Sequence, residues 1–170
     1  MVGAASSEHL GRMMTLYFGL GGATYDHLAQ VMLIVYPMVA EVAARRKLTK
    51  QEKKILQDAV EHACGVSDPR LLEDETLVDF HYLLAEMSRN PVWVLLADAV
   101  GAIFTDHIMS TTDSTAFHAA AADDHKEIAE AVIAGDAERA SLTMRDHTER
   151  MIKFYRSQNP GIFSQLIEWR

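Results

Sequence analysis

Eight histidines are spread along this chain of 170 residues. Several fall on apolar helical stripes. His147 continues a stripe formed by Ala140, Met144, Met151 and Phe154, at spacings of three and four. His125 stands in register with Ile128 and Val132, and His81 with Leu77, Leu84 and Ala85. His107 follows Trp93, Leu96, Val100 and Phe104, while His118 adjoins Phe117 near a helix start. His9, His27 and His62 sit in polar or terminal contexts. One histidine on such a stripe is usually a core residue satisfied by a carbonyl or a water. Several converging imidazoles satisfy one another poorly without a proton or a metal. Neutral imidazole is a good ligand for zinc, nickel or iron, so the chemistry these residues suit is divalent-metal binding. HExxH, CxxC and paired Glu-x-x-His patterns are absent, which excludes the usual metalloprotease, zinc-finger and di-iron signatures.

The elements that must position these side chains are helical almost throughout. Thr24 can cap a helix running to about Arg46, and "TKQE" (49–52) is a capping box before the next. "DP" (68–69) and "NP" (90–91) each place a cap residue before a proline at the first helical position. "STTDST" (110–115) reads as a loop, "AGDAE" (134–138) as a helix stop followed by a start, and "NPG" (159–161) as a break. The segment 31–44 is apolar nearly all round, which predicts a buried central helix kinked at Pro37. No strand pattern or internal repeat is present. The expectation is one all-α domain over residues 1–170, an antiparallel bundle of about seven or eight helices.

Composition narrows the function classes. Net charge is −8 with no basic stripe, a poor footprint for nucleic acid. The single cysteine, Cys64, forbids an intrachain disulfide and fits a reducing cytoplasm. The longest apolar run, "VMLIVYPMVA" (31–40), is too short to span a bilayer, and the N-terminal residues lack a signal-peptide pattern.

Two stretches carry a resemblance. "LVDFHYLLAEMSRNPVW" (77–93) and "HKEIAEAVIAGDAERASLTMRDH" (125–147) resemble the effector-binding FCD domain of the FadR-type branch of GntR transcription regulators. "TYDHLAQVMLIVYPMVAEVAARRKLTKQE" (24–52) resembles that domain's first helices. The resemblance covers roughly residues 10–158. It implies an all-helical, homodimeric domain that binds a small organic acid or acyl effector at its centre. It also implies a divalent metal, zinc or nickel, on three histidines and an aspartate. By the family's motifs the histidines are His81, His125 and His147. The aspartate position, four residues before the first of them, is Leu77 here, and Asp79 is two residues from it along the helix. The family's Arg and Glu before the proline of the first long helix are replaced by Met32 and Tyr36, which predicts a more hydrophobic pocket. Tyr36, Arg89, Asn90 and His107 are further candidates for effector contact. For Asn90 the alternative is a plain helix cap, and for Tyr36 plain core packing.

Regulators of this family reach DNA through a winged helix-turn-helix domain, for which residues 1–23 are too few. The expected role is thus effector sensing and dimerisation in the cytoplasm, without catalysis, membrane contact or direct DNA contact. Trp93, Trp169 and the Met13, Met14, Leu16 patch are candidates for a dimer face. The competing reading is a three-histidine helical metalloenzyme, a hydrolase or thiol transferase, with Glu86 or Asp106 as base.

Overall fold

Helix caps written in the sequence set the element boundaries. A computed structural model describes residues 7–65, 80–109 and 115–168. Among these lie α1 (Ser7–Leu20), α2 (Tyr25–Arg45), α3 (Lys50–Gly65), α4 (Phe80–Met87), α5 (Pro91–Phe104), α6 (Thr115–Ala134) and α7 (Ala137–Gln158). The described residues contain no strand, only one isolated bridge between Thr24 and Leu166. The fold is the expected all-α bundle. The "DP" start at 68–69 and most of the 110–115 loop lie outside the described residues.

The caps work by satisfying the free N–H groups of each first turn. At α3, the Thr49 N–H donates to Glu52 Oε2 at 2.7 Å, and the Glu52 N–H donates back to Thr49 Oγ1 at 3.2 Å. The backbone hydrogen bond from Thr49, aided by Arg89, holds the Glu52 carboxyl down at about 2. Arg89 Nη2 reaches the same carboxylate at 2.9 Å and Arg46 at 3.7 Å, while Arg46 also donates to the Met87 carbonyl. This ties the start of α3 to the α4–α5 turn. At α7, the Asp136 side chain accepts from the Arg139 N–H at 3.1 Å.

α2 is the axis of the bundle. It packs on α4, α5, α6 and α7, most extensively on α7. Met32, Val35, Tyr36, Val39, Ala40, Ala43 and Ala44 are buried, and the helix continues through Pro37. Burial is not all round as the composition predicts. Val31, Ile34 and Met38, at three- and four-residue spacing, form an exposed stripe (45, 63 and 38% accessible). α2 and the stretch Pro91–Ile108 are long and apolar enough to cross a membrane. The core helix of a soluble protein meets the same test, and α2 packs here on four other helices and on the 3-10 turn at Ile162–Ser164.

The C-terminal tail does not form a helix to residue 168. After a single 3-10 turn (Ile162–Ser164) it runs across the α1–α2 turn. The Tyr25 N–H donates to the Gln165 carbonyl and the Ile167 N–H to the Ala23 carbonyl, at 3.2 and 2.9 Å. Glycine is required at position 19 for this approach, since a Cβ there would lie 2.6 Å from the Ile167 carbonyl oxygen. Ile162, Phe163 and Ile167 are buried beneath the crossing.

Candidate metal centre

α4, α6 and α7 each bring one histidine to a common point. One ring nitrogen from each of His81, His125 and His147 lies within 4.8 Å of the other two. His125 Nε2 and His147 Nε2 are 3.3 Å apart. Tetrahedral zinc with Zn–N bonds of about 2.0–2.1 Å requires an N···N edge of about 3.3–3.4 Å. That pair is therefore already spaced as two ligands of one ion. Aromatic rings fix the planes: Tyr36 stacks on His81 and Phe80 on His125, with centroids 4.7 and 4.3 Å apart.

Asp124 sets the tautomer of His147. Its Oδ2 lies 3.2 Å from His147 Nδ1, and the carboxylate is gripped by Arg150 at 2.6 Å (Nη2) and 3.2 Å (Nε). An ionised carboxylate only accepts, so Nδ1 carries the proton and Nε2 turns its lone pair to the other two histidines. Burial would raise the Asp124 carboxyl, but hydrogen bonds from His147 and Arg150 outweigh it and hold it below the usual range. Burial pushes the His147 imidazole below its ordinary value; Asp124 opposes this and nearby His81 adds to it. Both shifts favour the pair needed for metal ligation, a neutral imidazole beside an ionised aspartate.

A cavity of about 210 Å³ opens beside His81, between α4 and α5. Its wall includes Tyr82, Asp98, Gly101, Thr105 and Asp106. A Cβ at position 101 would stand 3.2 Å from the Tyr36 hydroxyl, so glycine lets the ring that stacks on His81 come close to this wall. At residues 105–109 the helix widens into a π turn, a feature frequent at functional sites.

A family model for the FCD domain matches residues 27–150. The chain belongs to the FCD domain family. Neither a curated protein nor a solved structure matches it. FCD is the effector-binding domain of GntR-family regulators, and the matched span contains all three clustered histidines and Asp124.

The FCD fold sorts the remaining candidates by place. Tyr36 is at the cluster, stacked on His81. Arg89 and Asn90 are not: both lie in the α4–α5 turn. There Arg89 adopts the left-handed backbone (φ 51°) and pairs with Glu52, while Asn90 Oδ1 accepts from the Val92 N–H at 3.0 Å. Asn90 is thus the cap of α5. His107 is buried, but it stacks on Tyr25 at 4.5 Å and its Nε2 meets Gln165 Oε1 at 3.0 Å. It faces Tyr25 and the tail rather than the other histidines, on the side where Phe104, three residues earlier on the same stripe, already lies beside Phe163. Leu77 and Asp79 lie outside the described residues.

Sequence reasoning missed Asp124 and Arg150. The available signal was local: Asp124 adjoins His125 on one helix, and Arg150 follows His147 by three residues on the next. Outer partners of this kind tune a metal-binding imidazole. Asp124→Asn is expected to weaken zinc binding about 10- to 100-fold by chelator competition. An unchanged affinity would remove Asp124 from the site.

Proposed function

We propose that this FCD domain senses a small carboxylic effector at a divalent metal held by His81, His125 and His147. The supporting observation is the convergence of three imidazole nitrogens, with the His147 tautomer set by Asp124. Neutral imidazoles suit zinc or nickel. Three protein ligands leave a coordination position for the acid oxygen of the effector, and the metal supplies the charge that attracts it. His81 borders both the metal centre and the cavity, so an acid seated on the metal extends along α5.

The reading includes no catalysis, because FCD domains are regulatory. Of the two residues considered as bases, Glu86 is engaged by the Tyr82 hydroxyl. The domain works as one half of a cytoplasmic homodimer and reaches DNA only through a winged helix-turn-helix domain. The apolar face of α1 supports the dimer: Met13, Leu16, Tyr17 and Leu20 recur at helical spacing and are all exposed. Met14 and Trp93 instead pack partly against the core, and Trp169 lies outside the described residues.

The test compares zinc-loaded with metal-stripped protein against short carboxylic acids, with and without amino groups. The melting temperature should rise with the logarithm of acid concentration in the loaded protein only. Equal shifts in both forms, or turnover of an ester or thiol substrate, overturn the reading.

A further inference from the structure

The cavity beside His81 has a charge pattern that carries no part of the reading so far. Its eight lining residues include Asp98 and Asp106, and neither a lysine nor an arginine. Asp98 and Asp106 stand eight positions apart on one continuous helical stretch, about 12 Å along its axis at about 1.5 Å per residue. The cavity is therefore acidic along its length. The Tyr82 phenol on the same wall is raised by burial and by the charges of Glu86 and Asp98, so this wall resists further negative charge. A simple dicarboxylate, the ligand an arginine-lined pocket would hold, is repelled once its first acid group has been placed. The volume points the same way: about 210 Å³ is below the roughly 300 Å³ at which pockets for drug-sized ligands begin. A cavity of this size suits a small metabolite.

We infer that the cavity selects an amino-substituted organic acid, whose protonated amine lies against Asp98 or Asp106 on the α5 wall while its acid end turns to the histidines. The inference rests on the metal-centred reading for the acid end and on the cavity wall for the amine end. Two observations point to a ligand here besides the carboxylates: the cavity borders the three-histidine cluster through His81, and its far wall is built on a π turn. Gly101 keeps the wall free of a side chain where the Tyr36 hydroxyl approaches.

Calorimetric titration of the zinc-loaded chain tests this with matched probes. Free glycine, β-alanine and γ-aminobutyrate are compared with acetate, propionate and butyrate, and with succinate. The best amino acid probe is expected to bind about tenfold more tightly than its parent acid, the value of one charge-assisted contact, with succinate among the weakest. Asp98→Asn combined with Asp106→Asn should erase that gap without altering zinc content, and the single variants identify which carboxylate holds the amine. Succinate binding as tightly as the amino acids overturns the inference, as does a gap that survives the double substitution. Absence of binding by every amine probe also overturns it, while zinc content still tests the metal centre separately. Binding of putrescine with no binding of any carboxylate likewise overturns the inference, since no amino acid is then selected, and it removes the acid-on-metal reading as well.

Discussion

His147→Ala is expected to abolish stoichiometric zinc binding. Elemental analysis of the native protein should find about one ion per chain after reloading, and the variant none. His147 is the most buried of the three histidines, 1% accessible, and the one whose tautomer Asp124 sets. Without it, His81 and His125 are two ligands, too few for a closed zinc site. His125→Ala, at a half-buried position, guards against a variant that fails to fold and should show the same loss. Retention of a full equivalent of zinc by both variants would place the metal elsewhere. Acid should act in the same direction. In metal-free protein burial holds the His147 pKa below 6.5, so the unfolded chain takes up this proton more readily than the folded one. Stability is then intact above pH 6.5 and falls as pH drops below it. Zinc release follows the same course, since imidazole must be deprotonated to bind. A His147→Ala protein lacks this contribution and should have a flatter stability profile below that pH.

Leu84→Ala is expected to cost about 2–5 kcal/mol of stability and to weaken zinc binding as well. The described part of α4, Phe80–Met87, is held by what it buries: Phe80, Leu83, Leu84, Ala85 and Met87. Leu84 is fully inaccessible and one helical turn after Phe80, whose ring stacks on His125. Truncation removes the contacts that anchor the helix carrying His81. Urea titration with and without zinc measures both effects: the midpoint should fall at constant slope, and zinc should restore less stability than it gives the native protein. A loss under about 1 kcal/mol would show that α4 is held by something other than this core contact.

Much of this was legible in the sequence because it depends on local rules. Capping boxes, Asn-Pro and Gly-Asp junctions placed the starts of α3, α5 and α7. The 3.6-residue stripe turned His81, His125 and His147 inward. Periodicity states that a residue faces in, but not what it meets there. His107 shows the limit: it is as buried as its stripe implies, yet what it meets is Tyr25 and Gln165 rather than the other histidines. Asp124 shows the converse. It belongs to an acidic, alanine-rich stretch whose charges look solvated, and only the crossing of α6 on α7 brings it to His147 and Arg150. The cavity is likewise invisible in one dimension, since its wall joins α4 to α5 and depends on the close approach of Tyr36 to Gly101.

The wide turn after α5 faces two ways. Thr105 and Asp106 border the cavity, while His107, the next residue, grips the tail through Gln165. That tail is laced by backbone hydrogen bonds to the junction of α1 and α2. Three consecutive residues therefore have the cavity on one side and the strap across the α1 end of the bundle on the other. A shift of that turn would be felt on both sides at once. The exposed apolar face of α1 is thereby tied, through the tail, to an acidic cavity.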